Sequence, residues 1–217
     1  MQLPSDPLYK QCCAVLRGEQ DIPASERQFC DWLSAEFCIA TPVSAVSDPT
    51  PDGRNRLHVV LRTRADAEGF YTETEEFYGR DEEKQDAVLR KARACGLLKS
   101  TDGWFVAWSP FDPVAIHEAL SRVSDRTRKQ VLRDFSAAGL SLLEPLLAGT
   151  IMMFKTEAQR LAAENNGVQA QIADRWRAEV LPFDEFGVLA TSELEIRFDS
   201  KEVFRRDYGG SWFRYTR

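Results

Sequence analysis

Two histidines, His58 and His117, and five cysteines, Cys12, Cys13, Cys30, Cys38 and Cys95, are all the imidazole and thiol in this 217-residue chain. Two imidazoles are too few for a His-rich metal site, and a mixed Cys/His zinc site would need ligands from scattered positions without the usual paired spacing. No metal is therefore expected. Cys38 or Cys95 could meet His58 or His117 in space as nucleophile and base, a pairing sequence cannot test; buried, inert thiols are the plainer reading. Cys12 and Cys13 are adjacent, so in a helix they point to different faces, and five reduced thiols are expected. The densest acidic cluster is Glu73, Glu75, Glu76, Asp81, Glu82 and Glu83. Paired carboxylates there could do acid-base work or clamp a metal, but a charge run at a strand end and a helix N-terminus is more simply solvated and matched to the helix dipole.

Phosphate-cradling patterns are absent: no G-x-G-x-x-G follows a strand and no G-x-x-x-x-G-K occurs, so no nucleotide cofactor is expected. Gly139-Leu140-Ser141-Leu142-Leu143 begins like a nucleophile elbow but ends in Leu where the tight turn needs Gly. No catalytic constellation remains, and a non-enzymatic protein is the favoured reading.

Binding chemistry is better represented. Arg122, Arg126, Lys129 and Arg133 fall at i, i+4, i+7 and i+11, one line along a helix if Ser124 and Asp125 do not break it. That line could grip phosphates, although a solvated outer face is the favoured reading. Between Lys201 and Arg217, five bases face two acids, a local charge of +3 in a chain of net charge −6. There Phe204, Tyr208, Trp212, Phe213 and Tyr215 interleave with Arg205, Arg206, Arg214 and Arg217, a mixture enriched at protein interfaces and suited to stacking on single-stranded nucleic acid. Read as strands, this segment alternates: Trp212 and Arg214 on one face, Phe213 and Tyr215 on the other. One face would then be core. Trp212, Arg214, Tyr208, Arg205 and Arg206 are the expected partner-binding residues.

The elements that must position these groups start from residues 57–108. Leu57, Val59 and Leu61 alternate with His58, Val60 and Arg62 as a strand does, and from Asp81 the spacing of Val88, Ala92 and Cys95 becomes helical until Gly96. Residues 97–100 and 104–108 then suggest a hairpin turning at Asp102-Gly103. A helix followed by such a hairpin has the shape of a winged helix, but Arg90, Lys91 and Arg93 are offset by Asp81, Glu82, Glu83 and Asp86. Upstream, Asp6-Pro7 starts one helix and the capping box Ser25 to Gln28 starts another. Residues 41–56, with three prolines and a glycine, suggest a loop, and residues 70–78 a second strand or irregular chain.

Downstream, Asp112-Pro113 opens a helix that can continue to Phe135 before Gly139. Residues 140–147 suggest a short buried helix or turn, and 151–154 a buried strand. A capping box at Thr156 and a helix carrying Val168, Ile172, Trp176 and Val180 come next. Strands are expected at 188–191 or 194–198, at 202–206 and at 211–216, the last two as a hairpin through Gly209-Gly210. No repeat at a fixed period is visible.

This order is α+β: N-terminal helices, a central strand-helix-hairpin unit, then helices and a C-terminal antiparallel hairpin or small sheet. An N-terminal lobe over residues 1–139 with a C-terminal lobe over 150–217 is expected, a single compact domain being the alternative. No apolar run approaches a membrane span, and Met-Gln-Leu-Pro-Ser-Asp lacks the regions of a signal peptide, so a cytoplasmic location is expected. The leading expectation is a protein-binding module of the inhibitor, immunity-protein or adaptor kind. A nucleic-acid binder using the basic line and the C-terminal aromatic and arginine segment is one alternative, against which the net negative charge argues. An enzyme with a carboxylate or Cys-His site is the other.

Overall fold

The structure, a computed structural model, describes residues 4–50, 53–73, 78–99 and 103–216. The chain divides into two compact units, Met1–Val114 and Ala115–Arg217. The architecture is α+β, with small sheets flanked by helices.

In the first unit, α1 (Pro7–Leu16) begins as its sequence suggests, with the Asp6 carboxylate accepting from the Leu8 amide. Helix α2 (Ala24–Phe37) starts without a side-chain cap. Ser25 therefore forms no capping box. Glu26 instead turns inward, is 4% exposed, and accepts from Ser44 Oγ at 2.8 Å and the Ala45 amide at 2.7 Å. Those bonds help define β1 (Ser44–Pro49), a strand where the proline content pointed to a loop. It pairs antiparallel with β2 (Asn55–Leu61), Ser44 lying opposite Val60.

The expected hairpin at Asp102-Gly103 does not form: residues 97–99 are not a strand, and residues 100–102 lie outside the described residues. The chain instead enters β5 (Trp104–Pro110), which runs parallel to β2 and makes β2 the middle strand. Its partner comes from far along the chain, so the winged-helix comparison ends here. The crossover carries α3 (Arg64–Glu68), the short pair β3 (Tyr71–Glu73) and β4 (Tyr78–Arg80), and α4 (Glu82–Ala94). Leu57, Val59 and Leu61 face a core with Phe29, Leu33, Val88, Ala92 and Trp108.

In the second unit, the helix opened by Asp112 is interrupted. Helix α5 (Asp112–Arg122) stops, Ser124 Oγ caps the Thr127 amide, and α6 (Asp125–Asp134) starts afresh. Residues 140–147 are extended, not helical: β6 (Leu140–Leu146) pairs antiparallel with the fully buried β7 (Gly149–Phe154). The capping box at Thr156 opens α7 (Glu157–Asn165), and α8 (Val168–Val180) buries Ile172, Trp176 and Val180. Trp176 Nε1 donates to Thr150 Oγ1 at 2.9 Å, which satisfies a buried indole. Then β8 (Glu195–Ser200) runs parallel to β7.

Both units thus repeat one arrangement: a middle strand, antiparallel to the strand before it and parallel to one reached by a helical crossover. Each middle strand leads into a threonine-capped helix, Leu61-Arg62-Thr63 in one unit and Phe154-Lys155-Thr156 in the other. The repeat escapes the sequence because it lies in topology. The β3–β4 insertion in the first crossover also spoils any fixed period.

Candidate functional site

The last described segment, expected as a hairpin, is two helices. Ser200 Oγ accepts from the Val203 amide and starts α9 (Lys201–Tyr208), and α10 (Trp212–Tyr215) comes after a break. Gly209 and Gly210 have φ of 61° and 71°, and the Gly210 amide returns to the Phe204 carbonyl at 3.1 Å. Two left-handed residues closing the last turn make a helix C-cap where the same dipeptide could have turned a hairpin. Glu202 Oε2 accepts from the Glu157 amide, tying α9 to the start of α7.

Helical spacing, not alternation, then decides which rings are covered. Phe204 and Tyr208 lie four apart, and Trp212 and Tyr215 three apart, on the sides that meet. Their centroids are 4.8 Å apart for Phe204–Trp212 and 4.9 Å for Tyr208–Tyr215, with Phe204–Tyr215 edge-on at 5.4 Å. The cluster covers Ile151 and Met153 of β7. Tyr215 is its anchor, 2% exposed, its hydroxyl donating to Asp199 Oδ2 at 2.7 Å. Burial, then that bond to a carboxylate, pushes the Tyr215 hydroxyl well above its ordinary pKa. The Arg197 guanidinium lies 4.4 Å from the centre of the Tyr215 ring.

Outward, α9 and α10 present another composition. Phe213 is 64% exposed and Trp212 38%. Phe213 thus leaves the core face that alternation assigned to it, and Trp212 divides its ring between the cluster and solvent. Arg205, Arg206 and Arg214 are exposed and Tyr208 half-buried. Arg206 forks onto Asp207 through two bonds of 2.7 and 2.9 Å. Arg205 and Arg214 meet no carboxylate among the described residues.

The basic line of the second unit is broken at Ser124, so Arg122 stands on α5 and Arg126, Lys129 and Arg133 on α6. Arg122 pairs with Glu185 at 3.1 Å and lies 3.9 Å from Glu118, while Arg133 donates to Gln130. In the acidic run, Asp81 caps α4 by accepting from the Lys84 amide, which holds its carboxyl below the usual range, and Glu82 and Glu83 occupy the first turn. Glu75 and Glu76 lie outside the described residues, and no group of three His, Cys, Asp or Glu able to hold a metal occurs among the described ones.

Among the described residues neither imidazole is hydrogen-bonded to a cysteine. His117 Nδ1 faces the Leu146 carbonyl at 3.4 Å, and His58 Nε2 lies 2.8 Å from Ser109 Oγ. This second pair is a buried polar contact that sequence reasoning did not reach, its members 51 positions apart on strands whose pairing is itself nonlocal. Burial, then the neighbouring Arg56 charge, lowers the His58 pKa to about 4. Arg56 itself is forked onto Asp48 across the β1–β2 pair. Aligning the two units by their threonine caps sets Arg56, His58 and Val60 against Gly149, Ile151 and Met153. At the first two of these positions the first unit keeps polar side chains, Arg56 and His58, where the second has Gly149 and Ile151.

None of the five cysteines, all among the described residues, is in a disulfide. Burial pushes the Cys12 and Cys30 thiols up to about 12, with the Cys13 thiol next in effect on Cys12 and Glu26 next on Cys30. Among the described residues no helix is long and apolar enough to cross a membrane. Compared with known proteins, the chain matches no family model, no curated protein and no solved structure.

Proposed function

We propose that the protein is a non-enzymatic binding module of the cytoplasm, an inhibitor, immunity-type or adaptor protein, that engages another protein through the outer surface of α9 and α10. The observation that carries this reading is the exposure of Trp212 and Phe213 beside Arg205 and Arg214. Large rings and arginines anchor interfaces because they bury much area for few rotatable bonds and offer directed hydrogen bonds. Here the rings sit on helices seated against the β6–β7–β8 sheet, so little conformational freedom is lost on binding. The test is photocrosslinking in native extract, with benzoylphenylalanine at position 213 and, separately, at Gln130 on α6. A discrete protein adduct from 213 and none from 130 supports the reading. Adducts from neither or equally from both overturn it.

The enzymatic alternative has one observation in its favour, the 2.8 Å contact between His58 Nε2 and Ser109 Oγ, the reach of a base from a hydroxyl nucleophile. His58 is 8% exposed and Ser109 9%. A fluorophosphonate probe that labels wild type but not Ser109→Ala would support that alternative.

A further inference from the structure

The charges around the exposed rings specify the partner's chemistry. Elsewhere in the second unit several arginines have carboxylates of their own: Arg122 meets Glu185, Arg160 meets Glu157 and Glu164, Arg175 meets Asp134 and Glu179, and Arg177 meets Asp174 and Glu193, whereas Arg126 and Arg133 of α6 meet none among the described residues. Around α9 and α10 the pattern changes. Asp207 is taken by Arg206, Glu202 accepts from the Glu157 amide, and Lys201 Nζ donates to the Ser141 carbonyl. Arg197, Arg205 and Arg214 remain, all exposed and none within reach of a carboxylate among the described residues. Arg197 stands over Tyr215, which itself packs on Trp212 with centroids 5.8 Å apart. Arg214 comes directly after Phe213, with its guanidinium near Gly209 at the C-terminal end of α9.

We propose that the partner bound by α9 and α10 is a protein presenting acidic side chains around an apolar or aromatic group, so that its carboxylates meet Arg197, Arg205 and Arg214 while its apolar group packs on Trp212 and Phe213. This rests on the protein-binding reading above. An arginine offers a planar fork that takes a carboxylate by two parallel bonds, and it gains most where the neighbouring surface becomes dry on binding. Three cations around a pair of rings supply such sites without drawing on the chain's own acids.

A nucleic acid fits less well. Duplex binding of useful strength neutralises roughly six to ten phosphates, and this surface offers three free cations among the described residues. The charge of the whole chain adds to the argument. The second unit holds 15 acids and 15 bases, so the net −6 belongs to the first unit, and attraction to an anion must come from local groups such as this one or the exposed Arg126, Lys129 and Arg133 of α6, which the control below separates.

The test is fluorescence anisotropy of the full chain with a labelled random copolymer of glutamate and tyrosine as probe. Phosphatidylserine vesicles and single-stranded oligothymidylate serve as rival probes. Wild type is expected to bind the copolymer saturably, with affinity falling at least about tenfold between low and moderately high salt, as charge-assisted contacts require. Arg205→Glu with Arg214→Glu is expected to lose at least tenfold, and Arg126→Glu with Lys129→Glu on α6 less than twofold. Arg205→Gln with Arg214→Gln repeats the comparison without reversing charge, should the first pair perturb folding. Equal loss in the α6 control, no binding of the copolymer, or equal or tighter binding of vesicles or oligonucleotide overturns the inference. A protein adduct from position 213 with no copolymer binding sinks the acidic partner and leaves the protein-binding reading standing. Absence of the adduct removes both.

Discussion

His58 and the cysteines make opposite demands on pH, and both effects come from burial. Unfolded, His58 takes a proton below about pH 6.5; folded, it stays neutral until about pH 4. Between those values the unfolded chain binds the extra proton, so the contribution of a neutral His58 is complete above about 6.5 and is lost as pH falls toward 4. At 1.36 kcal/mol per unit the loss approaches about 3 kcal/mol. Urea unfolding of wild type and His58→Asn at pH 7.5, 6 and 5 checks it: wild type should fall more steeply, and parallel profiles would mean that His58 reaches solvent. The thiols behave inversely, since those pushed up to about 12 are not thiolates at neutral pH. In a thiol titration Cys38, exposed, should react first and Cys95, half-buried, more slowly. Cys12, Cys13 and Cys30 should react only on unfolding, with five thiols counted without reductant. Fewer than five would reveal a disulfide.

At the scale of elements, what the sequence revealed depended on how local the cause was. Asp6, Asp81 and Thr156 start their helices through bonds within three residues; Asp6 and Thr156 were readable as caps, and Asp81 as the point where helical spacing begins. Ser44 to Pro49 was not, because the bonds that make it a strand come from Glu26 and from β2. The segment Trp212-Phe213-Arg214-Tyr215 carries strand-forming residues, and four positions are too few to separate a period of two from one of 3.6. Its helical outcome keeps Tyr215 in the core and takes Phe213, which alternation had placed on the same face, out of it. Tyr215→Ala should therefore cost about 3–5 kcal/mol, as truncation of a buried ring does, and Phe213→Ala less than about 1 kcal/mol. Tyr215→Phe keeps the packing and loses the bond to Asp199, costing about 1–3 kcal/mol. Denaturant midpoints of the three variants rank these costs, and a Phe213→Ala change as damaging as Tyr215→Ala would restore the alternating assignment.

For the whole molecule, the α+β class was readable because it needs only the order of helical and extended signals. The repeated topology was not, since matching strands share a pattern of pairing and a threonine cap but few residues, with His58 in one unit against Ile151 in the other. The candidate surface was half readable. Composition picked out Tyr208, Trp212, Arg205, Arg206 and Arg214, whereas only the packing separated Tyr215, which holds the surface in place, from Phe213, which is offered to solvent. The division of labour between those two rings underlies the proposed function. It is tested most directly by quantitative affinity capture from native extract with wild type and with Phe213→Ala combined with Arg214→Ala, alongside thermal unfolding of both proteins. The double variant should melt within a few degrees of wild type while its capture of the partner weakens by about 2 kcal/mol, roughly thirtyfold. Undiminished capture by a fully folded double variant would place the recognition surface elsewhere and contradict the role given to α9 and α10.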